Sequence, residues 1–254
     1  MKLLELKSVG KKFGGVQALN DVNLSVQSGE IYGLIGPNGA GKTTLFNLLT
    51  GVYSPDVGEI NFDRTSLVGL KPHQVASRGI ARTFQNIRLF QEMSVLENVM
   101  VGCHARTKVG ALGAVLKTSA SRDEEANIYH QSMAWLAYVG IESEASSLSK
   151  NLSYGDQRRL EVARALATQP KLLALDEPAA GMNATETEEL KALIKKIRAD
   201  GVSVLLIEHD VKLIMSLCDR LAVLDYGEKI AEGEPDAVRG DPAVIKAYLG
   251  GNLP

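Results

Sequence analysis

The chain has 254 residues, which allows one large domain or a core with a small second unit. Its 28 Lys and Arg against 30 Asp and Glu give a formal net charge of −2, which argues against a general nucleic-acid binder. The content of 45% hydrophobic and 23% charged residues excludes disorder, and we expect no membrane-spanning run, no secretion signal and, with only Cys103 and Cys218, no disulfide framework.

The first 90 residues alternate strand patterns with turns. Val22, Leu24 and Val26 alternate with polar residues, as in a half-buried strand, and the apolar run 31–35 predicts a buried strand. We expect a helix over 44–50, which Gly51 would end, and another short strand over 59–63.

A glycine-rich segment lies between the predicted buried strand and the predicted helix. It fits the pattern G-x-x-x-x-G-K-[ST] with Gly36, Pro37, Asn38, Gly39, Ala40, Gly41, Lys42 and Thr43, and Thr44 follows as a further nucleotide-binding residue. Glycines let consecutive backbone N–H groups curl around phosphates, and the helix N-terminus adds a positive dipole end. Lys42 would reach the β- and γ-phosphates of a nucleotide, and the Thr43 hydroxyl would bind Mg²⁺. The strand and helix on either side favour this interpretation over a glycine-rich turn that happens to precede a lysine.

The middle of the chain, about residues 90–157, contains little strand pattern and predicts an inserted helical unit. Ser94 with Glu97 forms a capping-box pattern ahead of an apolar stretch, and Ser121 with Glu124 forms a second one. The helix that the second one opens would bury a single stripe, formed by Tyr129, Met133, Leu136 and Val139.

Residues 152–159, Leu-Ser-Tyr-Gly-Asp-Gln-Arg-Arg, precede another amphipathic helix. Ser153 is a good N-cap residue, so the segment taken alone is typical of an ordinary capped helix. Ser153 and Gly155 indicate a function only when they are considered together with the other motifs of the chain.

The last third returns to alternating strands and helices. Apolar runs at 172–175 and 202–207 predict parallel strands covered on both faces, with a helix over 185–199 between them and a hairpin over 220–232. Asp176 and Glu177 end the first run, where a sheet edge would place them beside the phosphate loop. Asp176 would hold Mg²⁺ through water, and Glu177 would act on an attacking water as general base. Without the phosphate loop, two acids that merely end a strand and cap a helix would be an equally good interpretation.

The order of phosphate loop, Leu-Ser-x-Gly helix start and Asp-Glu strand end resembles the nucleotide-binding subunit of ABC transporters over nearly the whole chain. The resemblance implies an α/β fold of the P-loop NTPase cassette type, with a mostly parallel central sheet, an N-terminal antiparallel β subdomain and an inserted helical subdomain. It implies an ATP-binding core at 1–89 and 158–254 and a helical subdomain at 90–157, which carries the family's signature motif at residues 152–157. It also implies ATP and Mg²⁺ as cofactors and ATP hydrolysis as the activity.

The resemblance also implies roles for single residues. Ser153 and Gly155 would bind the γ-phosphate of the ATP held by the opposite subunit of a head-to-tail dimer. Gln85 matches the loop glutamine that senses Mg²⁺ and the attacking water, and His209 matches the switch histidine that contacts the γ-phosphate. Phe13 stands where the family places an aromatic residue that stacks on adenine, although it would serve equally well as a core residue.

Three positions depart from the common family pattern: Tyr154 replaces a glycine, Asp156 a glutamine and Asn183 an aspartate. Tyr154, with the segments 82–90, 177–183 and 247–250, resembles the ATPase subunits of branched-chain amino-acid importers.

The narrower resemblance implies a set of partners. These are transmembrane permease subunits, a second ATP-binding subunit that is identical or closely related, and, indirectly, an extracytoplasmic solute receptor, with no nucleic acid. It places the chain peripherally on the cytoplasmic face of the inner membrane. We expect the permease contact within residues 86–120, where the apolar side chains would otherwise be core residues: Ile87, Leu89, Phe90 and Met93.

Other functions stay open at this point. ABC-type ATPases of translation carry two cassettes and those of DNA repair a long coiled coil, whereas this chain shows one cassette and no sustained heptads. A P-loop kinase would explain Lys42 and Asp176 but would leave Ser153, Gly155 and His209 without a role. An ABC motor for another cargo, such as urea, amides or an exported lipid, is not separated from an amino-acid importer by sequence.

Overall fold

The computed structural model describes residues 1–104 and 119–249, and its strands form two sheets. The antiparallel sheet has the order β2-β1-β4-β5 and consists of β1 (Lys2–Phe13), β2 (Val16–Gln27), β4 (Val57–Phe62) and β5 (Thr65–Ser66). The predicted alternation is confirmed in β2, where Val22, Leu24 and Val26 are buried and face the core.

The second sheet is the predicted, mostly parallel one. It consists of β3 (Ile31–Ile35), β6 (Ile80–Arg82), β7 (Leu172–Asp176), β8 (Ser203–Ile207), β9 (Arg220–Asp225) and β10 (Glu228–Gly233). The order is β10-β9-β3-β8-β7-β6, and only β10 pairs antiparallel with its neighbour. Every residue of β3, β7 and β8 is buried, as expected for strands covered on both faces.

The helices follow in chain order: α1 (Lys42–Leu49), α2 (Pro72–Ser77), α3 (Val95–His104), α4 (Ser119–Val139), α5 (Tyr154–Ala167), α6 (Ala184–Ala199), α7 (Val211–Leu217), α8 (Pro235–Arg239) and α9 (Pro242–Leu249). Of these, α3, α4 and α5 pack on one another around a separate apolar cluster and form the helical unit. No helix within 1–104 and 119–249 is both long and apolar enough to cross a membrane.

The capping box before α3 is confirmed, because Ser94 N–H donates to Glu97 Oε2 at 2.7 Å and Glu97 N–H donates to Ser94 Oγ at 3.1 Å. The second box was wrong, because α4 already includes Ser119 and Ser121 therefore lies inside the helix.

The stripe predicted for α4 was also wrong at its first position. Tyr129 is 46% exposed, whereas Ile128 is buried in the helical cluster. Buried Ser132 follows one turn later, and its hydroxyl lies 3.5 Å from the Cys103 sulfur. In the N-terminal half of the helix the buried face therefore passes through residues 128 and 132, four residues apart, instead of through Tyr129. Leu136 and Val139 are buried as predicted, and Met133 is half-buried against the same cluster.

Helix α5 belongs to both halves of the molecule. Leu160 and Ala163 lie in the helical cluster, whereas Val162 and Leu166 lie in the cluster beside the parallel sheet. The predicted boundary between residues 157 and 158 falls inside this continuous helix. We propose the division into 1–89 with 158–254 and 90–157, with α5 as the shared element; residues 105–118 and 250–254 of these ranges lie outside the described part.

Candidate functional site

The candidate site lies at the carboxyl ends of the parallel strands. The phosphate-loop segment follows β3, Gln85 follows β6, Glu177 follows β7 and His209 follows β8. Because parallel strands end at one edge of the sheet, these residues meet in a crevice. A pocket of about 460 Å³ opens there, lined by residues 16–18, 38–44, Gln85, Glu177, His209 and Tyr226.

The backbone of the phosphate loop requires its glycines. Gly36 has φ 149° and a Cβ on it would lie 2.1 Å from the Leu224 carbonyl oxygen; Gly41 has φ 102° and its Cβ would lie 2.7 Å from the Ala18 carbonyl oxygen. Neither position therefore accepts a larger residue without displacing backbone.

The Lys42 amino group lies inside this loop. It donates to the Gly36 carbonyl oxygen at 2.6 Å and to the Pro37 carbonyl oxygen at 2.9 Å. Burial lowers the pKa of Lys42, and the negative charges of Glu177 and Asp176 partly offset that effect. The loop, the amine and the start of α1 together form an arrangement suited to phosphate groups.

Two of the three candidate catalytic residues, Gln85 and His209, are hydrogen-bonded to the third, Glu177. Gln85 Nε2 donates to Glu177 Oε2 at 2.7 Å, and His209 Nε2 lies 2.6 Å from Glu177 Oε1. Glu177 has φ 48°, a left-handed backbone conformation uncommon for a residue with a side chain, and its N–H donates to the Ile207 carbonyl oxygen at 2.9 Å. Both carboxylate oxygens of Glu177, which lines the pocket, are thus held by hydrogen bonds.

Asp176 is buried one residue before Glu177 and pairs with Arg82, at 2.8 Å between Oδ2 and Nη2. The other terminal nitrogen of Arg82 donates to Asn47 Oδ1 at 2.7 Å and to Thr50 Oγ1 at 3.2 Å, so the guanidinium joins Asp176 to α1. Arg82 was missed by the sequence reasoning. A charged residue at the end of an apolar strand was the available signal, because buried charges require partners.

The oxygen donors at this edge fit Mg²⁺. Thr43 and Glu177 line the pocket, and Asp176 directly precedes Glu177 at the end of β7. Mg²⁺ prefers oxygen ligands and keeps waters and substrate phosphates around it. Across the described residues, no group of three or more His, Cys, Asp or Glu side chains gathers that could hold a metal ion. A metal completed by phosphate oxygens needs no such group.

Three candidate nucleotide-binding residues from outside the phosphate loop are not among the described residues that line this pocket. Ser153 is exposed and caps α5, with its hydroxyl accepting from Asp156 N–H at 3.2 Å. Gly155 is buried against Glu186, whose Oε1 a Cβ would approach to 2.9 Å. Phe13 is 41% exposed and packs edge-on against Tyr53, with ring centroids 5.1 Å apart.

Two further residues of the site were missed by the sequence reasoning. Tyr226 lines the pocket from the β9–β10 turn and is 88% exposed. Glu208 is buried and accepts from Ala179 N–H at 2.8 Å and from His209 N–H at 3.2 Å, which joins the loop after Glu177 to His209. Burial raises the pKa of Glu208, against the opposing effect of these backbone N–H groups.

The position of Asn183 has a simple structural account. Its side chain accepts from Glu186 N–H at 3.0 Å and caps α6, a role that asparagine fills as well as the aspartate common in the family.

Known proteins share both the sequence and the fold. The ABC transporter family profile matches residues 19–180, and the profile of branched-chain amino acid ATP-binding cassette transporters matches residues 228–253. The chain is 47% identical to the high-affinity branched-chain amino acid transport ATP-binding protein BraF of Pseudomonas aeruginosa, over 98% of each chain.

Two solved cassettes have a similar fold. The ADP conformation of MJ1267, an ATP-binding cassette of an ABC transporter, superposes with a TM-score of 0.86 at 31% identity, over 98% of this chain and 99% of that one. The dimeric structure of MJ0796, a bacterial ABC transporter cassette, gives 0.77 at 26% identity, over 91% and 98%. The chain belongs to the ABC transporter family, as one of its ATP-binding subunits that hydrolyse ATP.

Proposed function

We propose that this chain is the motor subunit of an ABC importer for branched-chain amino acids, working at the cytoplasmic face of the membrane. The proposed cargo is supported by the similarity to BraF, a high-affinity branched-chain amino acid transport ATP-binding protein, and by the family profile matched at residues 228–253. The observation that carries the hydrolytic role is the hydrogen-bonded cluster of Gln85, Glu177 and His209 at the pocket of the phosphate loop.

The loop 36–44 would bind the phosphates of ATP, with Lys42 on the β- and γ-phosphates. Thr43, Asp176 and Gln85 would hold Mg²⁺, which neutralises charge on the phosphate oxygens when it is bound. The ion pair with Arg82 keeps the Asp176 carboxylate in place.

Glu177 takes a proton from the attacking water as the water oxygen bonds to the γ-phosphorus. The bond between that phosphorus and the bridging oxygen breaks, which leaves ADP and inorganic phosphate. Gln85 and His209 fix the two oxygens of Glu177 in the orientation this step needs.

A second subunit would complete the site. Ser153 is exposed at the N-terminus of α5, where a helix end favours an anion, and it lies outside the pocket of its own chain. In a head-to-tail dimer, Ser153 and Gly155 of one subunit would face the γ-phosphate held by the other. The dimeric structure of the cassette MJ0796 supports this arrangement. Phe13 lies outside the pocket and would need to leave its contact with Tyr53 to reach adenine, whereas Tyr226 offers an aromatic ring that lines the pocket.

A permease would dock in an open groove whose lining is largely apolar. This groove, of about 710 Å³, lies beside the segment that follows Gln85, and its lining includes Val52, Phe84, Leu89, Phe90 and Val101. Phe90 is 46% exposed and Val101 37%, so these side chains serve a contact better than a core. Met93, outside the groove, is 39% exposed, and Ile87 is half-buried. The part of the predicted contact at 105–118 lies outside the described residues.

The test is to purify the chain with its partners from membranes and to identify them. We expect two permeases, a second ATP-binding subunit and, after addition of the extracytoplasmic receptor, ATP-dependent uptake of labelled leucine by vesicles that contain the complex. Co-purification with ribosomes or DNA and without membrane proteins would contradict the transport role. Uptake of urea, an amide or a lipid instead of leucine would contradict the cargo alone.

A further inference from the structure

The segment that carries Gln85 has no regular secondary structure, so its backbone polar groups need partners outside it. Helix α5 supplies them. Arg158 donates through Nη1 to the Phe84 carbonyl oxygen at 2.6 Å and through Nη2 to the Gln85 carbonyl oxygen. Glu161 Oε1 accepts from the backbone N–H groups of Phe84 and Arg88, each at 3.4 Å.

These two side chains are themselves a buried ion pair. Arg158 is 2% exposed and Glu161 1%, and their charged groups lie 3.1 Å apart. A buried pair is retained without loss of stability only when further hydrogen bonds satisfy both groups. Here four of those further bonds go to the backbone of residues 84–88, and Arg158 Nε is left without a partner among the described residues. The pair and the segment therefore depend on each other.

We propose that Arg158 and Glu161, which we call the Arg158–Glu161 clamp, are positioning residues for ATP hydrolysis. The clamp holds residues 84–88 where the Gln85 side chain reaches Glu177 Oε2 at 2.7 Å. This inference rests on the proposed role of Glu177 and Gln85 in hydrolysis, and it adds two residues that do not line the pocket of the phosphate loop.

The clamp also explains one departure from the family pattern. The Tyr154 hydroxyl accepts from Arg158 Nη2 at 3.1 Å, so the same nitrogen bonds both Tyr154 and the Gln85 carbonyl oxygen. Tyr154 is the first residue of α5, directly after Ser153. One helix therefore joins the signature segment, which would serve the partner's ATP, to the glutamine that serves its own.

The test replaces the clamp by apolar side chains, in the double variant Arg158→Met/Glu161→Leu, because removing one partner alone would leave an unpaired buried charge. We expect backbone hydrogen exchange at residues 84–88 to become at least about tenfold faster, because the amides of Phe84 and Arg88 lose their Glu161 acceptor and the segment loses its anchor on α5. We expect kcat to fall about tenfold or more while the KM for ATP changes less than about threefold, because the phosphate loop is untouched.

A double-mutant cycle with Gln85→Ala decides whether the clamp acts through Gln85. In the Gln85→Ala background we expect the clamp substitutions to have no further effect on kcat, within about twofold. The control is Arg220→Met. Arg220 lies on β9, near the edge of the sheet opposite β6, and pairs with Glu232 at 2.7 Å. This variant should leave both the exchange at 84–88 and kcat as in the wild type.

Two results would overturn the proposal: unchanged exchange at 84–88 in the double variant, or a loss in kcat that simply adds to that of Gln85→Ala. If Gln85→Ala alone leaves kcat unchanged, the proposed hydrolytic role of Gln85 fails. The exchange measurement then still decides whether the clamp orders the segment.

Discussion

The variant Glu177→Gln removes the proposed general base while it keeps the size and the hydrogen bonds of the side chain. The carboxylate accepts one hydrogen bond from Gln85 and lies 2.6 Å from His209 Nε2. A glutamine at position 177 keeps an oxygen for the Gln85 amide, and its own NH₂ can donate to His209 Nε2 in the tautomer that leaves this nitrogen without a proton. The local structure should therefore survive while the basic oxygen is lost.

The expected effect follows from the role of a general base, which contributes about 10²- to 10⁴-fold to a rate. At about 1.4 kcal/mol for each factor of ten, kcat should fall by an amount equivalent to about 3–5 kcal/mol. The affinity for ATP should stay within about threefold of wild type, because the residues of the phosphate loop are unchanged.

The assay combines single-turnover hydrolysis of ATP, equilibrium binding of a fluorescent ATP analogue, and gel filtration in the presence of ATP and Mg²⁺. The variant should bind, hydrolyse very slowly and elute as a long-lived dimer. Glu59→Gln, which makes the same chemical change on an exposed residue of the antiparallel sheet, is the control and should hydrolyse ATP as the wild type does. Hydrolysis near the wild-type rate in Glu177→Gln would refute Glu177 as the base.

Three further perturbations test other parts of the site. Lys42→Ala should weaken ATP binding at least about tenfold in the same binding assay, and unchanged affinity would contradict the phosphate-loop assignment. Gly36→Ala should lower the free energy of unfolding by about 1–3 kcal/mol in a denaturant titration, because its Cβ would lie 2.1 Å from the Leu224 carbonyl oxygen; wild-type stability would show that the backbone gives way there. Glu208 has a pKa raised by burial, so its favourable contribution to stability is largest below the unfolded pKa of about 4.5 and is lost as the pH rises through the folded value. The stability of the wild type relative to Glu208→Gln should therefore decrease as the pH rises above about 4.5 in thermal unfolding, and a constant difference would contradict the raised pKa.

Much of the fold could be predicted because it depends on local pattern. The apolar runs of β3, β7 and β8 and the phosphate loop between β3 and α1 are contiguous in sequence, so their spacing alone predicts a parallel sheet with a phosphate site at its edge. Where the pattern was weaker, in α4, the stripe was misplaced by one residue at Tyr129.

The sequence by itself determined the nucleotide chemistry, since the loop 36–43 and the pair Asp176-Glu177 are local motifs whose residue types fix what they can bind. Only the tertiary structure decided which buried charged side chains hold the residues of the site in position. Arg82 meets Asp176 across 94 positions, and Arg158 meets the Phe84 carbonyl across 74. Such pairs exist only because distant strands end at one edge and α5 packs beside the segment after β6. Their partners follow from strand order and helix packing, which no local pattern records.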